Sequence, residues 1–182
     1  MATDDAVDLS YSSMEGSSPL TNPIELLEID TIGKLASCLD NLFVNISTSA
    51  SLHSAIILML SKVNLSQNEI NKFTFWDADK PYTRNLAFTD NKHYTILILC
   101  WNPGKESKIH NHPCDACYIK TLRGCLRESL FSVDTSNNTM APIGVRFYTE
   151  SQVSFMTDDI GLHKIGNPNR QLQFVCVLEL FR

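Results

Sequence analysis

Two histidines separated by one residue constrain the fold of this chain more than any other feature. His110 and His112 follow an apolar run at 94–101. The residues that flank them are Gly104, Cys117 and Gly124, in the spacing G-x5-H-x-H-x4-C-x6-G. Side chains at positions i and i+2 of a β-strand point to the same face, so both imidazoles can meet one ion. Because glycines suit the tight turns around such strands, the pattern predicts a β-structure that carries a metal site.

A third histidine lies near the end of the chain, in the stretch Gly161-Leu-His-Lys-Ile-Gly-Asn167. If His163 joins the other two inside a β-barrel, three neutral imidazoles form a metal site with open positions. The remaining histidines, His53 and His93, have no such context and are interpreted as ordinary surface or core residues.

Composition excludes one class of partner. The chain has 182 residues, of which 43% are hydrophobic, and this is enough for one core and one domain. Seven acidic residues and no basic residue precede Lys34, so the remaining 13 acidic and 15 basic residues nearly balance. The globular part therefore has no basic stripe, and no nucleic-acid partner is expected.

The chain also lacks the signals of membrane insertion and secretion. No apolar run approaches the roughly eighteen residues of a membrane span, and the N-terminus lacks the basic start and apolar stretch of a signal peptide. We therefore predict a cytoplasmic monomer with no membrane partner. Its six cysteines are expected to be thiols, since their irregular spacing does not suggest a disulfide framework.

The hydrophobic pattern divides the chain into a helical part and a β part. Residues 1–21 are polar and acidic and are expected to be disordered, whereas 22–182 are expected to form a single domain. A helix start is predicted at 22–25, and helical spacing recurs at 35–43, 52–60 and 66–72, so helices are expected over about 22–74. A β-barrel is expected over about 75–182. The predicted strands are 82–88, 93–101, 108–112, 116–121, 125–132, 145–149, 152–156, 161–166 and 172–181.

These motifs resemble the cupin superfamily and, within it, the animal cysteine dioxygenases. The spacing from Gly104 to Gly124 is that of the first cupin motif, and His163-x3-Asn167 is similar to the end of the second. Cysteine dioxygenases carry a cysteine, as at Cys117, where other cupins usually carry glutamate. Further similar segments are 75–77, 82–86, 97–101, 107–112, 122–131 and 159–163. The resemblance implies a mainly β, cupin-type β-barrel (jelly roll) with a small N-terminal helical part.

The resemblance also implies an activity and its residues. His110, His112 and His163 would hold Fe(II), which binds L-cysteine through sulfur and amine and joins both atoms of O2 to the sulfur, giving cysteine sulfinic acid. Arg84 would hold the substrate carboxylate, Tyr82 would add a hydroxyl contact, and Cys117 would form half of a thioether cross-link to a late tyrosine. The chemistry of these residues fits the implied activity, because a three-histidine site leaves the metal its full +2 charge and favours an anionic thiolate. Arg84 has the planar fork of donors that suits a carboxylate.

The last strand departs from the family. With a shift of one residue, Glu179 and Phe181 stand where the family has a histidine and a tyrosine, and phenylalanine cannot form the thioether. The chain also stops where the family continues, so we expect a C-terminally truncated or spliced form, or a diverged member.

Several alternatives to cysteine oxidation stay open. They are a catalytically weak or inactive metal-binding cupin, a dioxygenase of another small thiol, and a zinc site in place of iron. Arg84 argues against cysteamine, which has no carboxylate. A structural zinc cluster of His110, His112, Cys114 and Cys117 is disfavoured, because an unbroken strand would place Cys117 on the face opposite the histidines.

Overall fold

The fold begins with helices whose first turns are capped by side chains. A computed structural model of the protein describes residues 28–112, 115–134, 136–137, 139–157, 160–171 and 175–181. The helices are α1 (Ile32–Asn45), α2 (Ser49–Lys62) and α3 (Gln67–Asn71). Thr31, Thr48 and Ser66 each precede a helix and accept a hydrogen bond from the third backbone N–H of that helix. The three later helical predictions are confirmed; the helix start at 22–25 and the disordered tail at 1–21 lie outside the described residues.

The described remainder of the chain is mostly strand. The strands are β1 (Tyr82–Thr89), β2 (Thr95–Trp101), β3 (Cys117–Arg123), β4 (Cys125–Asp134), β5 (Thr139–Thr149), β6 (Val153–Met156), β7 (Leu162–Gly166) and β8 (Val175–Phe181). The predicted mainly β class with a small helical part before the strands is therefore confirmed.

Two antiparallel sheets contain these strands. The larger has the order β1-β2-β8-β3-β6 and the smaller the order β5-β4-β7. Alternate residues of β2 face opposite sides: Ile96 and Ile98 pack in one core with the helices, whereas Leu99 and Trp101 pack in a second core. This second core also contains Leu126 and Ile165 of the smaller sheet. The larger sheet thus lies between the helices and the smaller sheet.

Two strand predictions need correction. Residues 108–112 do not form a strand, because their pairing with β7 is reduced to one isolated bridge, His110 to His163; a second isolated bridge joins Glu106 to Gly166. The strand predicted at 145–149 begins earlier, at Thr139, since β5 pairs with β4 along its whole length. Among the described residues, none of the helices is long and apolar enough to cross a membrane.

Candidate metal centre

Three histidines converge at one end of the smaller sheet. His163 lies on β7, and the antiparallel bridge to His110 brings the preceding segment against it. The Nε2 atoms of His112 and His163 are 2.8 Å apart. One ring nitrogen from each histidine lies within 4.8 Å of the corresponding nitrogens of the other two. The structure therefore brings His110, His112 and His163 together, although His110 and His112 do not lie on a regular strand.

Hydrogen bonds on the far side of two rings fix their orientation. The Nδ1 atom of His163 is 2.8 Å from Glu128 Oε1, and that of His110 is 2.9 Å from the Lys108 carbonyl oxygen. Both acceptors favour a proton on Nδ1, which leaves the lone pair of Nε2 for an ion. Tyr148 in turn donates to Glu128 Oε2 at 2.8 Å. This donor set suits a divalent transition metal such as iron or zinc.

Burial keeps the imidazoles of His110 and His112 neutral. Burial lowers the pKa of His112 to about 4 and also lowers the pKa of His110. Burial opposes ionisation of Glu128, but the hydrogen bonds from His163 and Tyr148 hold the pKa of Glu128 below its usual value. The rings of His110 and His112 are therefore in the form that binds metals, and the Glu128 carboxylate lies beside the ring of His163.

A cleft of about 600 Å³ opens above these histidines, and its wall includes Tyr82, Arg84 and Phe181. The Arg84 guanidinium lies 5.8 Å from the Tyr82 ring centroid and 5.9 Å from that of Phe181. Within the described residues Arg84 makes no salt bridge, and the structure therefore does not support its interpretation as an arginine in a surface ion pair. Tyr82 stacks on the buried Trp101 with centroids 4.0 Å apart, so Trp101 packs beside the cleft.

Cys117 lies next to the histidines rather than away from them. Its Sγ–H donates to Glu179 Oε1 at 3.3 Å, and one atom each of His112, Cys117 and Glu179 lie within 4.8 Å of one another. The expectation that Cys117 faces away from the histidines applies to an unbroken strand, and this condition does not hold, because residues 108–112 form no strand and β3 begins at Cys117. Cys114 lies outside the described residues. Burial raises the pKa of Glu179.

Sequence reasoning missed Glu128 and Tyr148, the residues behind His163. The available signal was one glutamate in the otherwise apolar and polar-neutral stretch 128–133 of a predicted strand. A charged residue at an inward position of a strand is uncommon unless it has a partner. The partner was not visible, because Glu128 and His163 are 35 residues apart in sequence.

The two facing sheets and the histidine cluster define a metal-binding β-fold protein, and comparison with known proteins gives its family. Residues 23–179 match the family model of cysteine dioxygenase type I. Cysteine dioxygenase type 1 of Danio rerio is 32% identical over 145 residues, 79% of this chain and 70% of that protein. The chain belongs to the cysteine dioxygenase type I family.

The match to the human relative is shorter. Cysteine dioxygenase type 1 of Homo sapiens is 40% identical over 87 residues, which are 47% of this chain and 44% of the relative. The chain thus spans about half the length of this relative.

Solved structures resemble the chain more weakly. Oxalate decarboxylase from Bacillus subtilis has a TM-score of 0.44 and 18% identity, over 56% of this chain and 25% of that one. A cupin domain of a transcriptional regulator from Enterobacter cloacae has a TM-score of 0.42 and 13% identity, over 57% of this chain and 97% of that domain.

Proposed function

We propose that this protein is a non-haem Fe(II) thiol dioxygenase that converts L-cysteine and O2 into cysteine sulfinic acid. The observation that carries the proposal is the convergence of His110, His112 and His163, beside a cleft that His110, His112 and Arg84 line. Family membership supports it, since the match includes every one of these residues.

The cleft presents groups that suit the two ends of a small amino-acid thiol. The three neutral imidazoles leave a divalent ion its full positive charge, which attracts a thiolate. The Arg84 guanidinium offers paired donors for a carboxylate, and the Tyr82 ring beside it limits the directions in which Arg84 can extend. Iron, when bound, supplies the redox chemistry by which both atoms of O2 are transferred to the thiol sulfur.

Phe181 gives the cleft an apolar wall where the family has a tyrosine. Its ring centroid is 5.8 Å from that of His112, so it borders the space above the histidines without offering a hydrogen bond. We propose that Phe181 excludes water from the thiol end of the substrate and lowers turnover relative to a tyrosine-containing site, because no hydroxyl remains there to orient the reacting groups.

Oxygen uptake by iron-loaded protein tests the proposal. With L-cysteine, uptake should accompany the formation of cysteine sulfinic acid, and 3-mercaptopropionate, which keeps the carboxylate, should be a weaker substrate. Cysteamine should react least. Arg84→Ala should lower kcat/KM for cysteine by at least about tenfold, since losing a charged hydrogen bond costs about 1.5–3 kcal/mol. Its iron content should stay unchanged.

Arg123→Ala is the matched control, because Arg123 is an exposed arginine that contacts Gln67 outside the cleft. Equal cysteine kinetics in Arg84→Ala and the parent would remove Arg84 from the substrate site. Full iron loading without oxygen uptake for any thiol would instead support a metal-binding protein without catalysis.

We also propose that the protein acts in the cytoplasm as a monomer, with residues 22–182 as a single cupin-like domain. Among the described residues, Cys38, Cys100, Cys125 and Cys176 form no disulfide, and this suits a reducing compartment. The shared core of the helices and the larger sheet supports a single folding unit.

A further inference from the structure

A second set of metal-ligating side chains lies beside the three histidines. His112, Cys117 and Glu179 are 2%, 0% and 1% exposed, and one ligand atom of each lies within 4.8 Å of the other two. Cys117 begins β3 and Glu179 lies on β8, the neighbouring strand. In the β3–β8 register Glu179 is opposite Ile119, and so Cys117 and Glu179 are diagonal neighbours on one face. The fold itself therefore holds the thiol and the carboxyl group together.

The Glu179 carboxyl group is incompletely satisfied in its surroundings. Oε1 accepts the hydrogen bond from Cys117, but Oε2 is buried and has no hydrogen-bond partner among the described residues. Leu99, Trp101 and Val177 belong to the same core as Cys117, so apolar side chains surround this pair. A buried polar atom without a partner is costly, so this carboxyl group is stabilised either by protonation or by a cation such as a metal ion.

We propose that His112, Cys117 and Glu179 form a second metal position that accepts a thiophilic divalent ion such as Zn²⁺. Imidazole, thiolate and carboxylate are the three donor types of protein zinc sites. The thiolate and carboxylate together neutralise the +2 charge of the ion, and this suits a dry, closed position. The three-histidine position provides no such neutralisation and favours an ion that takes up an anionic substrate.

The two positions share His112, so they compete. The metal position of His112, Cys117 and Glu179 does not depend on the proposed function. A further consequence, that Zn²⁺ bound there inhibits oxygen uptake, does rest on that function.

Titration of metal-free protein with Co²⁺ tests the position, with Co²⁺ as the spectroscopic substitute for Zn²⁺. A cobalt–thiolate bond gives a charge-transfer band in the near ultraviolet, which a site of three imidazoles lacks. The parent should show the band, and Cys117→Ser should lose it. Glu179→Gln should weaken cobalt binding with the band by at least about tenfold. His163→Ala, which removes a ligand of the three-histidine position alone, should retain the band.

Cys125→Ser controls for binding to another thiol, because Cys125 is a partly buried cysteine outside both donor sets and its variant should keep the band. Circular dichroism checks that each variant is folded, and Glu179→Gln serves as the test if Cys117→Ser does not fold. Absence of the band in the parent, or its persistence in Cys117→Ser, would overturn the proposal. Absence of sulfinic acid with iron-loaded protein would count against the proposed function only.

Discussion

At the residue scale, Glu128 is the side chain that holds the metal-binding geometry from behind. It accepts from His163 Nδ1 at 2.8 Å and from the Tyr148 hydroxyl at 2.8 Å, and it is buried. A neutral amide in its place both loses the charge and can present an N–H to His163. Outer groups of this kind contribute about 10–100-fold to metal affinity.

Glu128→Gln is therefore expected to weaken iron affinity by about 10–100-fold. Competition with a chelator of known affinity measures the change. Glu150→Gln is the control, since Glu150 is an exposed glutamate that accepts from the Gly124 backbone N–H. Iron affinity equal to that of the parent would mean that Glu128 does not act on the metal through His163.

Burial of His112 predicts a pH dependence of stability for the metal-free protein. Its pKa is about 4 when folded and 6.5 ordinarily, so the unfolded chain binds more protons between these values. The free energy of unfolding should therefore fall as pH falls from about 6.5 to about 4, by up to about 3 kcal/mol from this group.

Urea unfolding at a series of pH values measures this effect. His112→Asn should flatten the slope between pH 6.5 and pH 4, because the titrating group is gone. His93→Asn is the control at a partly exposed histidine. If parent and His112→Asn had the same slope, His112 would not be the buried neutral group.

Cys117 is expected to remain a free thiol. It lies directly opposite Phe181 in the β3–β8 register, where a phenyl ring cannot form a thioether. Peptide mass spectrometry should find Cys117 alkylatable and unlinked, and denaturing electrophoresis should give a single band. A cross-link from Cys117 to Tyr82 or Tyr148 would contradict the alignment of the last strand.

At the scale of elements, the sequence predicted what depends on local pattern. Helices α1, α2 and α3 have capping side chains, and α1 and α2 also have apolar residues at helical spacing; both features are visible in the chain. The early part of β5 was missed because Pro142 and Gly144 indicate a loop. This part of β5 is nevertheless a strand, because it pairs with β4. β5 lies at the edge of its sheet, where a proline is tolerated.

The close approach of β7 to the segment before His110 is an element-scale feature that a single methyl group should disrupt. A Cβ at Gly166 would lie 2.6 Å from the Glu106 Cα and would also clash with the Lys105 backbone carbonyl. Gly166→Ala should therefore push this segment away from β7, which carries His163, and separate His110 from His163.

The expected result for Gly166→Ala is a lower melting temperature and lower iron content than in the parent. Gly144→Ala is the matched control on β5, since a Cβ there meets nothing within 4 Å. Calorimetry and metal analysis of both variants measure the difference. Equal iron content in Gly166→Ala and Gly144→Ala would show that the site does not depend on this contact.

At the scale of the whole molecule, spacing and resemblance predicted the three histidines, Arg84 and the mainly β fold. They did not predict the contacts that depend on how the sheets pack. Glu128 reaches His163 because β4 pairs with β7, and Glu179 reaches Cys117 because β8 lies beside β3. No local pattern encodes either contact, since each joins residues that are distant in sequence.

The central claim is that the chain adds both atoms of O2 to the sulfur of L-cysteine in an iron-dependent reaction. Iron-loaded protein supplied with ¹⁸O₂ in ordinary water tests it most directly, with mass spectrometry of the product. We expect cysteine sulfinic acid that carries heavy oxygen at both sulfinate positions, and no sulfinic acid from protein whose three-histidine site is broken by His110→Ala. Sulfinic acid with oxygen from water, or no sulfinic acid at full iron loading, would contradict the account.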